Sequence, residues 1–169
     1  EIGGSCVEVE TDRTRIVIDF GMPLVGANKE PFDSKILANK SVDDLKKLKI
    51  LSGIQGLYDA DKKAVDAILI SHSHMDHYGL LNYVHKDIPI YMSQGAQELI
   101  EISNIFISHN LTIKNPKIIK AKRGPFEIGD IKITPYLVDH SAFDALAFLV
   151  EADGKRLFYS GDFRGHGRK

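Results

Sequence analysis

The chain has 169 residues, 43% hydrophobic and 27% charged, which is the size and balance of one ordinary globular domain able to bury a core. No apolar run approaches the ~20 residues of a membrane helix, and the opening Glu1-Ile2-Gly3-Gly4 lacks the charged-then-apolar pattern of a secretory signal. Twenty-two Lys and Arg against 23 Asp and Glu give a net charge of -1, so no global basic field exists to collect nucleic acid. The balance is uneven: the chain carries +4 from Lys114 onward and -5 before it, an asymmetry that a solvated surface explains as well as a polyanion-binding face. A single cysteine, Cys6, excludes an internal disulfide framework and fits a reducing compartment such as the cytoplasm. It lies in a strand-like run without a paired catalytic motif, as a small core residue does.

In chain order, Ser5 to Glu10 and Arg15 to Phe20 are rich in β-branched residues and read as a hairpin across Thr11-Asp12-Arg13-Thr14. Leu24 to about Asn39 reads as irregular. Ser41-Val42-Asp43-Asp44 marks a short helix, with Ser41 as N-cap and Asp44 three residues on. Ala64 to Ser71 is a compact apolar run, expected as a buried strand. Helical spacing follows from Gly79 to His85, then a strand over Ile88 to Met92. Ser93 then caps a helix running to about Ile107. Residues 109–123 are polar and basic and suggest no element. Phe126 to Ile131 turns into a strand over Lys132 to Val138. A last hairpin pairs Leu146 to Glu151 with Arg156 to Ser160 across Asp153-Gly154. Strands mixed with helices imply an α/β or α+β domain.

The chemistry concentrates in His72-Ser73-His74-Met75-Asp76-His77, directly after the apolar strand. Neutral imidazole is a preferred zinc ligand, and a carboxylate adds the oxygen that hydrolytic metal sites use. A tight loop at a strand end can turn residues two apart toward one point while later residues reach a second, which suits two neighbouring ions. The alternative is a polar loop whose histidines are solvated or cap the next helix. Val138-Asp139-His140 and Tyr159-Ser160-Gly161-Asp162 close two further strands on metal-competent side chains. His72, His74 and His140 could complete one site, and Asp162 could bridge to a second ion held by Asp76 and His77. His85, His109 and His166 have no partner motif and are left out of the ligand set. Arg164, Arg168 and Lys169 could meet phosphates or simply be solvated.

The string Ser71-His72-Ser73-His74-Met75-Asp76-His77-Tyr78-Gly79 resembles the signature of the metallo-β-lactamase-fold hydrolases. Asp19 matches the family's early aspartate, a structural or outer-shell residue. His140 matches the third motif, and Asp162 the bridging aspartate. The resemblance implies an αββα sandwich with two divalent ions between the sheets, and the His/Asp donor mix favours Zn²⁺ first and Mn²⁺ second. It also implies hydrolysis of an ester, amide or phosphodiester by metal-activated water, with Asp76 orienting that water or taking its proton. Asp139-His140-Ser141-Ala142-Phe143-Asp144 looks like the His-Ser-x-x-Asp pattern of ribonuclease-J-like enzymes, and Tyr159 to Arg164 likewise resembles the nuclease and DNA-repair branches. The expectation is therefore an RNA- or DNA-directed phosphodiesterase, with a thioesterase- or lactonase-type enzyme or an inactive metal-binding fragment as alternatives. Ser141 and Asp144 are expected to orient His140 or contact substrate. Residues 1–169 are expected to be a single, incomplete domain covering the N-terminal half to two-thirds of the fold, with the family's last ligand histidine lying beyond Asp162. No membrane partner is expected, and a homo-oligomer stays open.

Overall fold

A computed structural model describes residues 3–26, 29–106 and 111–166. The first hairpin is present, shorter at its ends than the β-branched runs: β1 (Val7–Glu10) and β2 (Arg15–Ile18) pair antiparallel. Thr11 closes its turn, with Oγ1 accepting from Thr14 N at 2.9 Å. The stretch read as irregular contains one helical turn, α1 (Lys35–Ala38). The next helix, α2 (Val42–Lys47), starts as its sequence indicates: Ser41 Oγ accepts from Asp44 N at 3.2 Å, and Leu45 turns into the core.

The apolar run after residue 64 becomes β3 (Ala67–Leu69), parallel to β2. The helix expected over Gly79 to His85 begins earlier, as α3 (Met75–Tyr78), and only a 3-10 turn over Leu81–Tyr83 follows. Gly79 ends α3 against the Met75 carbonyl, which its N–H meets at 2.8 Å. β4 (Ile90–Ser93) leads into α4 (Gln94–Phe106), whose first turn Ser93 caps by accepting from Ala96 N at 3.1 Å. The expected end of that helix at Ile107 lies outside the described residues, as do His109, Arg168 and Lys169. The basic stretch holds a strand after all: β5 (Pro116–Ile119) pairs parallel with β4.

These strands form one sheet in the order β1-β2-β3-β4-β5. A second, antiparallel sheet holds β6 (Phe126–Ile128), β7 (Ile131–Leu137), β8 (Leu146–Ala152) and β9 (Lys155–Tyr159) in sequence order. Asp153 and Gly154 both take positive φ, 51° and 70°, at the β8–β9 turn, as a two-residue hairpin of this hand requires.

Strand alternation divides the core in two. Ile16 and Ile18 of β2 face the second sheet with Ala67 and Leu69, meeting Ile131, Ile133, Leu146, Phe148 and Val150. Val17, Ile68, Ile70, Ile90 and Met92 face the other way, toward Leu45, Ala96 and Ile100 of the helices. Each fully buried Ile or Phe contributes about 1.5–3 kcal/mol. The layers run helix, sheet, sheet, which is the α/β class expected, with the ends of β3, β7 and β9 all opening on one seam between the sheets. Tyr136 and Phe158, on the outer face of the second sheet, are 46% and 60% exposed. Among the described residues, no helix is long and apolar enough to cross a membrane.

Candidate metal centre

Four chain segments deliver side chains to the inter-sheet seam. β2 leads into Asp19, β3 leads to Ser71 and His72, β7 leads to His140, and β9 ends on Tyr159 before Asp162. Between Ser71 and α3 the chain turns tightly, so His74 comes back beside His72 while Asp76 and His77 project from the helix. Backbone bonds fix α3 to the loop after β2. Phe20 N donates to the His77 carbonyl at 2.7 Å, Met22 N to Met75 at 2.9 Å, and Ser5 N to Asp76 at 2.9 Å.

The six expected ligands come together as two groups that share Asp162: His72, His74, His140 and Asp162, and Asp76, His77 and Asp162, with the ligand atoms of each group all within 4.8 Å of one another. In the first group His74 Nδ1 lies 3.1 Å from His72 Nε2 and 3.1 Å from His140 Nε2. Asp162 Oδ2 is 4.0 Å from His72 Nε2 and 3.9 Å from His140 Nε2. In the second, His77 Nε2 is 3.6 Å from both Asp76 Oδ2 and Asp162 Oδ2. Ligand atoms around a tetrahedral ion at 2.0–2.2 Å stand about 3.4 Å apart, so both donor sets fit a divalent cation in spacing and in kind.

Electrostatics prepares the imidazoles unequally. Burial, and then the neighbouring His77, His74 and His140, push the His72 pKa down to about 3, so His72 is a neutral donor at ordinary pH. Burial and His74 also lower His140. For His77 burial works in the same downward direction, but the Asp19 hydrogen bond and charge, with Asp76 and Asp162, outweigh it and raise its pKa.

Behind the ligands lies one buried carboxylate. Asp19 is fully buried, with a left-handed φ of 59° that aspartate tolerates better than most residues. Its Oδ1 accepts from Ser71 N at 2.7 Å, its Oδ2 accepts from Ser71 Oγ at 2.7 Å, and His77 Nδ1 stands 2.7 Å from the same Oδ2. Asp19 thus lies behind the ligand groups, hydrogen-bonded to Ser71 and beside His77, and is not in either group. Ser71 and Tyr159 were missed as members of this network. The Tyr159 hydroxyl donates to Asp19 Oδ2 at 2.6 Å, and the signal is the strand period, which sets Tyr159 on the face opposite the exposed Phe158.

Ser141 Oγ lies 3.4 Å from His74 Nε2, not beside His140 alone. Asp144 is committed to α4: its Oδ2 accepts from Gly95 N at 3.1 Å and its carbonyl from Ser93 Oγ at 2.8 Å, so its bonds anchor the loop carrying His140 to the helix N-terminus. His85 pairs with Asp87 at 3.9 Å, away from the seam, and His166 is exposed and belongs to neither group. Cys6 is partly buried, and burial pushes its thiol up to about 11, well away from a thiolate nucleophile.

The family model described as "Beta-lactamase superfamily domain" matches residues 41–167, more than half of the chain. An RNase J-like protein of Methanocaldococcus jannaschii is 27% identical over 176 residues, covering 96% of this chain and 34% of that protein. Ribonuclease J of Helicobacter pylori is 26% identical over 166 residues, covering 97% of this chain and 22% of its own length. A solved structure of a protein of unknown function from Enterococcus faecalis superposes with a TM-score of 0.77 at 24% identity, over 96% of this chain and 41% of that one. The chain therefore spans between about a fifth and a third of the length of these curated relatives.

Proposed function

The chain belongs to the β-lactamase superfamily of metallo-β-lactamase-fold hydrolases, and on that premise we propose that it is the metal-binding part of a phosphodiesterase acting on RNA, with DNA as the second polynucleotide. The observation that carries this reading is the convergence of His72, His74, His140 and Asp162 with Asp76, His77 and Asp162 in one seam. The mixed imidazole and carboxylate donors favour Zn²⁺, with Mn²⁺ next. Two such ions, when bound, supply an acidified water and offset the charge that builds on a phosphodiester in the transition state.

The chain's own groups divide the remaining work. The Asp76 side chain is 16% exposed at the mouth of the second group, so it can orient a water from solvent and accept its proton. Asp162, half exposed and common to both groups, sets their separation. His72 stays neutral and holds position. Arg164 lies beside His140, Ser141 and Phe143 along an open depression, where it can hold a substrate phosphate. RNA is favoured by the His140-Ser141…Asp144 pattern and by the two ribonuclease-type relatives. The lone Cys6 supports a cytoplasmic setting.

The test is metal analysis with an assay of single-stranded RNA and DNA oligonucleotides, with and without chelator. Two equivalents of metal and chelator-sensitive cleavage that Asp76→Asn abolishes are expected. Thioester or lactone turnover without polynucleotide cleavage would replace this reading with a small-molecule hydrolase. Metal binding without any turnover would make the chain a binding module.

A further inference from the structure

Tyr159 has no part in the chemistry above, yet its hydroxyl ends on the buried carboxylate that lies behind both ligand groups. As the last residue of β9 it pairs with Phe148, whose ring is fully buried, so its side chain faces the space between the sheets. There it donates to Asp19 Oδ2 at 2.6 Å across a sequence separation of 140 residues. The same Oδ2 accepts from Ser71 Oγ at 2.7 Å and stands 2.7 Å from His77 Nδ1, and Ser71 Oγ stands 3.0 Å from His72 Nδ1. Asp19 therefore reaches His77 directly and His72 through Ser71, one histidine from each ligand group.

A ligating imidazole needs its outer nitrogen protonated and occupied, so that the inner one is a bare lone pair. A hydrogen on His77 Nδ1 donated to Asp19 leaves Nε2 free toward Asp76 and Asp162. A hydrogen on His72 Nδ1 donated to Ser71 Oγ, whose own hydrogen goes to Asp19, leaves His72 Nε2 free toward His74 and His140. Both arrangements need Oδ2 of Asp19 in one place. Ser71 N and Oγ reach the carboxylate from the first sheet, and Tyr159 reaches it from the second.

We propose that Tyr159 is a positioning residue of the two-metal centre: its hydrogen bond fixes the Asp19 rotamer that orients His77 and, through Ser71, His72, and so makes the affinities of the two ion sites depend on a residue of the second sheet that is not itself a ligand. The proposal rests on the metal-centre reading given above. It predicts that loss of a single oxygen more than one contact away from any ion weakens metal binding. Outer-shell partners typically change metal affinity 10–100-fold, and a residue acting through Asp19 is expected at the lower end, about 10-fold.

The experiment compares the wild-type chain with Tyr159→Phe in three measurements: Zn²⁺ affinity by chelator competition, the visible absorption of the Co²⁺-substituted protein, and thermal unfolding of the metal-free protein. Expected are a roughly 10-fold loss of Zn²⁺ affinity and a changed Co²⁺ spectrum. A lower metal-free unfolding midpoint with wild-type affinity and spectrum would overturn the proposal, because the hydroxyl would then only tie the sheets together. Wild-type protein that binds neither ion would overturn the metal-centre reading and this proposal with it, whereas a wild type that binds two ions beside an indistinguishable variant overturns the Tyr159 role alone. If Tyr159→Phe does not fold, site-specific 3,5-difluorotyrosine at 159 keeps the shape and the hydroxyl but changes its donor strength. A shifted Co²⁺ spectrum then supports the proposal, and an unchanged one overturns it.

Discussion

Gly21 offers a test of how α3 holds Asp76 and His77. It is buried, its N–H donates to the Ser5 carbonyl at 2.9 Å, and it lies between the two bonds that Phe20 and Met22 make to α3. A Cβ built on Gly21 would sit 1.5 Å from the Asp76 carbonyl oxygen and 2.7 Å from the His77 nitrogen. Both are backbone atoms, and contacts below 3.0 Å are essentially never observed, so Gly21→Ala must open this seam by about 1.5 Å. Overpacking of a tight core costs about 1–3 kcal/mol, and a clash with backbone belongs at the upper end. For a domain of this size 1 kcal/mol moves the unfolding midpoint by about 2–4 °C, so a fall of roughly 6–12 °C is expected. The displacement lands on the residues of the second ligand group, while His72, His74 and His140 lie on other segments. Zinc content should therefore drop from two equivalents toward one. Calorimetry and metal analysis of purified Gly21→Ala would decide this. An unchanged midpoint with two zinc ions retained would refute the claim that the Gly21 loop positions Asp76 and His77.

His74→Ala removes the nitrogen standing between His72 and His140 and should abolish the first ion while leaving the second, read as one equivalent by metal analysis. Ser41→Ala deletes the cap of α2, far from the centre, and should cost about 1 kcal/mol in denaturant unfolding with metal content unchanged. In metal-free protein the depressed His72 pKa means that the unfolded chain, titrating near 6.5, takes up this proton first. The His72 contribution is therefore intact above pH 6.5 and is lost progressively as pH falls toward about 3. The raised His77 acts with opposite sign, its contribution complete below 6.5 and lost as pH rises through its elevated value. His72→Gln should flatten the acid-side decline relative to wild type in urea titrations between pH 6.5 and 3, and parallel curves would count against a neutral buried His72. Added Zn²⁺ should stabilise the fold by about 2.7 kcal/mol for one site at a hundredfold excess over Kd, which raises the unfolding midpoint with concentration, and chelator should reverse it.

What was legible in the sequence is what is local. His72 to His77 announces itself because three imidazoles and a carboxylate fall within one turn of chain, and the Ser41 and Ser93 caps act over three residues. The β-branched runs flanking Thr11 to Thr14, and the Asp153-Gly154 turn, mark the two hairpins. β5 was invisible because it is an edge strand with three exposed residues and only Ile119 buried, so it shows neither an apolar run nor a period. α3 is hidden because two of its four residues, Asp76 and His77, are candidate ligands, and such residue types mask a helical pattern. Asp144, expected to orient His140 or contact substrate, bonds to Gly95 on a helix 49 residues back, a partner that no local window shows. Tyr159 and Asp19 meet across two sheets, and no window of sequence contains both.

The location of the centre has a mechanical consequence. His72, His74, Asp76 and His77 follow strands of the first sheet, whereas His140 and Asp162 follow β7 and β9 of the second. Each proposed ion therefore has ligands from both sheets and binds only where the sheets are packed. The apolar core of Ile16, Ile18, Ile131, Ile133 and Phe148 brings the sheets together, and the Tyr159–Asp19 bond crosses at the same end as the ligands. Burial and the neighbouring imidazoles lower the pKa of His72 and His140 and so favour their neutral forms, while Asp19 holds His77 the other way. Hydrophobic packing thus pre-sets neutral donors at cation spacing, and an ion binding there adds its own affinity to the same seam. Folding and site assembly are in this way one event: whatever loosens the sheet-to-sheet contact scatters the ligands, and whatever removes the ions weakens the contact.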